Sequence, residues 1–157
     1  MKNPATELFN GKSDPFESLL GYHLRRLSVV VMTDLAEALS QLGLRPTSAS
    51  IVMMIGANPG ITQSEVGRVL GILRANMAPL IAGLLKQGLI DRKAVDGRSQ
   101  ALRLSAAGRN VCREVSSAMQ AHEDRIFGTL PRTLRTQMIA QMRELWRQNQ
   151  LVPVLAE

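Results

Sequence analysis

The sequence predicts a mainly helical fold with one small β-hairpin, and three observations predict it. Apolar residues recur at spacings of three and four along most of the 157-residue chain, the signature of helices with one buried face. One segment, Leu89 to Leu104, changes to short extended stretches around an Asp-Gly turn signal. Capping and stop residues stand where the helical patterns begin and end. The length fits one compact domain or two small lobes sharing a core.

Taken in order, Asp14-Pro15 reads as N-cap and first residue of a long helix. Leu20, Leu24, Leu27, Val31, Leu35, Ala38 and Leu42 form its apolar stripe, and Gly43 is its stop. At the helical rise that is a rod of roughly 40 Å, too long for one small domain to cover. Pro46-Thr47 opens a second helix through about Ala57, closed by Asn58-Pro59-Gly60. Thr62-Gln63-Ser64-Glu65 is a capping box: the Thr hydroxyl accepts from the third amide and the Glu carboxylate reaches back to the cap amide. The short helix it starts is expected to turn Val66, Val69 and Leu70 inward and to be released by Gly71.

A further helix is expected from Leu73 to Gln87, with Met77, Leu80, Ile81 and Leu84 on one face and Gly88 beyond its end. Pro79 within it lacks an N–H and crowds the preceding turn, which predicts a bend or a late start. Leu89–Lys93 and Gln100–Leu104 then form the hairpin across Val95-Asp96-Gly97-Arg98, the second stretch alternating Leu102 and Leu104 with polar residues. Ser105 caps a long helix with Val111, Val115, Ala118 or Met119, His122 and Ile126 in register. Leu130-Pro131 breaks it, and a last helix runs through Leu134, Met138, Met142 and Leu145. No internal repeat or low-complexity segment is present.

Composition narrows the function. Nineteen Lys+Arg against thirteen Asp+Glu give a formal charge of +6, which favours polyanionic partners. One cysteine excludes an intramolecular disulfide, and two histidines argue against a closed zinc site. Neither histidine has a Ser/Cys and carboxylate partner that spacing supports, so no catalytic residue, metal or cofactor is expected. The N-terminal stretch lacks a signal-peptide apolar region, and the uncharged stretch from Thr47 to Ser64 is turned at Asn58-Pro59-Gly60 before it reaches membrane-spanning length. A cytoplasmic, reduced setting is the default expectation. Cys112 lies beside Val111 on an apolar helix, far in sequence from the single tyrosine, and reads as a packed thiol rather than a redox sensor.

Capping box, short helix, tight turn, second helix and basic hairpin, in that order, describe a winged helix-turn-helix whose second helix enters a DNA major groove. Between Thr62 and Ser105 seven basic residues stand against three acidic ones, so four of the six net positive charges fall there, as phosphate binding requires. Arg74 can fork onto a guanine or a phosphate, Asn76 can pair with an adenine edge, and Ala78 or Pro79 can touch a thymine methyl. The alternative is that Arg74 and Asn76 merely complete the first helical turn, and base contact by at least one of them is the favoured reading. Thr62, Gln63 and Ser64 stand where helix amides suit a phosphate, although capping alone explains Thr62. Lys93 and Arg98 supply charge on the hairpin. Arg98 at its tip suits minor-groove insertion with Asp96 holding it, or both are its solvated end.

The order of elements resembles the MarR family of bacterial transcriptional regulators from about Phe16 to Trp146. Asp96-Gly97-Arg98 with Leu102-Arg103-Leu104-Ser105-Ala106-Ala107-Gly108 is similar to that family's DxR…LxLTxxG signature, with Ser for Thr. Leu84-Leu85-Lys86-Gln87-Gly88-Leu89-Ile90 is similar to its LExxGLI joint, with Leu85 at the acidic position. The resemblance implies a winged helix-turn-helix plus a helical dimerisation lobe: an arm and dimerisation helix over 1–45, a DNA-binding lobe over 46–105, and C-terminal dimerisation helices over 106–157. It implies a homodimer on a pseudo-palindromic operator, and a cleft between the lobes for a small aromatic acid or its CoA thioester. Tyr22, His23, Arg25 and Arg26 are then candidates to clamp a carboxylate and stack on a ring, with Ile51, Met54, Val115 and Met119 in the apolar wall. The two arginines are alternatively exposed or ion-paired across a dimer, and His23 a satisfied half-buried residue. A dimeric repressor released by its effector is therefore expected, and an effector-independent architectural DNA-binding protein is the alternative.

Overall fold

The computed structural model describes residues 14–94 and 100–149. Six helices and one hairpin are arranged in the order α1 Leu20–Ser40, α2 Pro46–Ala57, α3 Gln63–Leu70, α4 Arg74–Lys86, β1 Ile90–Ala94, β2 Gln100–Leu104, α5 Ala106–Phe127 and α6 Arg132–Gln148. The chain divides into two compact units, one ending at Asp34 and one beginning at Leu35, so the division falls within α1. Among the described residues no single helix is long and apolar enough to cross a membrane.

In the first unit Asp14-Pro15 does not open the helix. The Asp14 carboxylate accepts from the Phe16 amide at 2.8 Å, and the chain turns through residue 18 before α1 starts. An Asx turn satisfies the same local donors that a helix cap would, and here it wins. In the second unit α1 ends as expected: Gly43 has φ 65°, and the Leu44 amide returns to the Leu39 carbonyl, closing a Schellman turn.

The core lies in the second unit. Leu39, Ile51, Val52, Ile55, Val66, Ile81 and Val115 are wholly buried, with Met77, Leu84, Ile90 and Leu102 nearly so. α2 carries no charged side chain and packs on α5 and β2, while α3 packs on α4. Arg135 ties α6 to α5 through Glu123 at 3.0 Å and Asp124 at 3.7 Å.

Two sequence expectations are corrected between α3 and β2. Val69 faces solvent at 59 % exposure, because Val66 and Gly67 form the inward face of α3 and Met77 packs onto Gly67. β2 does not alternate strictly: Ala101 and Leu102 are both buried. Helices α2, α3 and α5 all pack on the strand, and it has a partner on each edge. β1 pairs antiparallel on one side, with Arg92 opposite Leu102, while Leu102 exchanges backbone bonds with Gly60 and Ile61 on the other.

Candidate nucleic-acid interface

α3 begins at the expected capping box. Thr62 Oγ1 accepts from the Glu65 amide at 3.3 Å, and Glu65 Oε2 accepts from the Thr62 amide at 2.8 Å and its hydroxyl at 2.7 Å. Both donors of Thr62 are therefore spent on Glu65. The amides of Gln63 and Ser64, first and second in the helix, have no carbonyl of their own turn to bond and point outward with the positive end of the helix dipole. Gly71 then takes φ 67°, a left-handed conformation that a side chain would strain, and α4 leaves at a sharp angle.

The bonds from Thr62 hold the Glu65 carboxyl below its ordinary range, the backbone bond contributing most. A lowered folded-state pKa gives stability that is present above the ordinary carboxylate range and is lost as pH falls through the lowered value. Glu65→Gln is therefore expected to lower the melting temperature at neutral pH and to converge on the parent in acid. Thermal melts between about pH 3 and 7 check this, and parallel curves would refute it.

α4 runs unbroken from Arg74 to Lys86 with Pro79 inside it, so the helix does not start late. Its inward face is Met77, Ile81 and Leu84; Arg74, Ala75, Ala78, Pro79 and Ala82 are exposed and Asn76 is half-buried. Between α3, α4 and the hairpin lies a cleft of about 730 Å³. Thr62, Gln63 and Ser64 line it from the start of α3, Arg68 from its middle, Arg74 from the start of α4, and Arg92 and Gln100 from the two strands. Three arginines and the start of α3 thus line one concavity, together with the buried Ile72, Met77 and Leu102. Fixed cations of this kind attract a polyanion and release its counterions.

Of the sequence candidates, the cleft gathers Thr62, Gln63, Ser64 and Arg74. Ala78 and Pro79 lie along the exposed face of α4, and Lys93 is exposed on β1 next to Arg92, on the opposite side of the strand. Asp96 and Arg98 lie outside the described residues. Arg68 and Arg92 are visible in sequence only as members of a charge count, since their convergence depends on how α3 and β1 are rotated about α4.

In the first unit Arg26 Nη1 donates to the Tyr22 hydroxyl at 3.1 Å, with the guanidinium 5.8 Å from that ring's centre. The hydrogen bond to Tyr22 pushes the Arg26 pKa further up. Phe16 lies 5.2 Å from the same ring. His23 Nε2 lies 2.7 Å from the Glu17 carbonyl, and Arg25 is exposed. In the second unit Ile51 and Val115 have no exposed surface, while Met54 and Met119 are half-buried against the core. Cys112 is half-buried with its Sγ 3.7 Å from Met53 Sδ, and burial pushes its thiol up, away from the reactive thiolate.

The fold agrees with comparisons to known proteins. The profile of the MarR family matches residues 42–99. The HTH-type transcriptional repressor Rv2887 of Mycobacterium tuberculosis is 28% identical over 113 residues, 71% of this chain and 81% of that protein. The solved structure of the transcriptional repressor CouR is 30% identical, with a TM-score of 0.77 over 87% of this chain and 98% of that one. CouR is also solved on a 23-mer DNA duplex, at TM-score 0.78 over 85% of this chain and 99% of that one, and with p-coumaroyl-CoA, at 0.76 over 87% and 97%. Rv2887 is solved with salicylic acid, at 25% identity and TM-score 0.65 over 82% of this chain and 97% of that one. With a helix-turn-helix, a two-stranded wing and a cationic cleft between them, the chain belongs to the MarR family of winged-helix transcriptional regulators.

Proposed function

We propose that the protein is a homodimeric transcriptional repressor, acting in the cytoplasm, that binds a pseudo-palindromic operator and leaves it when a small aromatic acid or its CoA thioester binds. The observation that carries the DNA-binding part is the convergence of Arg68, Arg74 and Arg92 with the start of α3 on one cleft. The DNA complex of CouR supports it. Dimerisation is supported by α6, which has no buried residue although Leu134, Ile139, Met142, Leu145 and Trp146 all stand exposed along it. An apolar face of that size needs a partner. Two copies present two α4 helices about one turn of DNA apart.

The effector class is supported by the ligands of CouR and Rv2887. On this reading, Tyr22 and Arg26 form a ready pair: a ring to stack on and a guanidinium to meet a carboxylate or phosphate. Ligand binding then favours a dimer geometry whose helices no longer match the groove spacing, a shift of population between two states.

Fluorescence anisotropy tests the whole reading. The protein is placed on a labelled duplex that it has selected from a random pool, then titrated with salicylate, p-coumarate and p-coumaroyl-CoA. Release by one of them is expected. Arg26→Ala should weaken that response about tenfold while leaving DNA affinity within twofold, as for a lost charge-assisted contact. Binding that none of the compounds relieves would favour an architectural role and overturn the effector half.

A further inference from the structure

From Met77 to Leu85 the recognition helix α4 carries no polar side chain at all. Its buried face is Met77, Ile81 and Leu84, and its outward face over the same turns is Ala75, Ala78, Pro79 and Ala82, every one exposed. These four occupy positions i, i+3, i+4 and i+7, one continuous side of a helix. Alanines and a proline ring are short enough for the helix backbone to approach a partner closely.

The surroundings identify the partner. At its N-terminal end the apolar face meets Arg74, one of the three arginines on the cleft, and the exposed Lys86 stands at its other end. A strip of methyl and methylene groups flanked by cations complements a surface that is anionic at its borders and apolar within. In the DNA major groove the apolar group on an unmodified base edge is the C5-methyl of thymine.

We infer that the face formed by Ala75, Ala78, Pro79 and Ala82 selects thymine C5-methyl groups, so that beyond the first turn of α4 the operator is read by methyls and not by hydrogen bonds. This rests on the DNA-binding reading above and specifies what it recognises. Arg74 and Asn76 are the side chains at the start of the helix able to read a base by hydrogen bonding, and no polar side chain follows them on α4 until Lys86.

The test uses the full-length protein and the duplex it enriches from a random pool, synthesised with thymine or with deoxyuridine at each enriched T·A pair. Loss of one contacted methyl should weaken binding about fourfold, and loss in both half-sites about fifteenfold. Replacing a contacted T·A pair by C·G should cost at least as much, and 5-methylcytosine at that position should restore most of it. Ala78→Ser and Ala82→Ser, which leave the buried face of α4 and the arginine cleft intact, should each at least halve the thymine-to-uracil ratio while the protein keeps its melting temperature. Equal affinity for the thymine and uracil duplexes, or 5-methylcytosine behaving like cytosine, overturns the inference while leaving DNA binding standing. Retention of no duplex from the pool would overturn the DNA-binding reading itself, and this inference with it.

Discussion

Gly108→Ala should lower the melting temperature by roughly 6–12 °C, the equivalent of about 2–3 kcal/mol for a chain of this size. A Cβ at Gly108 would overlap the carbonyl oxygen of Leu89. Neither side has room to yield. The same carbonyl accepts from the Ser105 amide at 3.1 Å, and Ser105 Oγ both donates to the Gly88 carbonyl at 2.6 Å and accepts from the Gly108 amide at 2.9 Å. These bonds clamp the start of α5 onto the joint between α4 and β1. Moving Leu89 to admit a methyl would break that clamp and displace the wing relative to the recognition helix. DNA affinity should therefore fall with stability, even well below the melting point. Gly83→Ala is the internal contrast: it lies within α4, and a Cβ there meets nothing within 4 Å. That change should be neutral or stabilising by up to about 1 kcal/mol through helix propensity. Calorimetry on the two variants decides the matter; a Gly108→Ala protein melting within 2 °C of the parent would contradict the close approach.

Removing the arginines of the cleft should produce the largest change in binding. On the proposed dimeric complex each Arg→Ala at position 68, 74 or 92 would remove one cleft cation per protomer, so where both meet phosphate the slope of log affinity against log salt should shrink by about 1.8 per substitution. At roughly 0.1 M salt that corresponds to a loss of tens of fold for each. The triple variant should lose about three times that slope and keep only the salt dependence of the remaining cations, Lys86, Lys93, Arg98 and Arg103. Arg113→Ala is the control, because Arg113 lies on α5 outside the cleft, bonded to Asn110 at 2.6 Å. A measurement of affinity at four or five salt concentrations separates the outcomes. An unchanged slope in all three single variants would remove the cleft as the DNA-binding surface, whatever the affinity did.

Much of the reading lobe is legible in the amino-acid order. The capping box at Thr62-Glu65, the release at Gly71, the Ser105 cap and the break at Pro131 are set by residues within about four positions of one another, where one side chain meets a neighbouring amide. α2, the two strands and the end of α1 at Gly43 are legible in the same way. Asp14-Pro15 misleads because an Asx turn and a helix cap place the same carboxylate on nearly the same amide, and the two differ only in the path of the next few residues. A helix through Pro79 is expected from sequence, but the late start that Pro79 allows is not found: the penalty for an internal proline is local, whereas the packing of Met77, Ile81 and Leu84 that offsets it is not.

What the amino-acid order determined on its own was therefore the succession of elements, the basic character of the segment between Thr62 and Ser105, and with them the family. The tertiary structure alone decided which way each element is turned: that Val69 faces solvent and Gly67 meets Met77, that β2 is held on both edges, and that Arg68, Arg74 and Arg92 share one cleft. The physical reason is the range of the forces involved. Caps, turns and periodicity act through hydrogen bonds and sterics between near neighbours in the chain, whereas the rotation of a helix or strand is chosen by the fit of its side chains against elements distant in sequence.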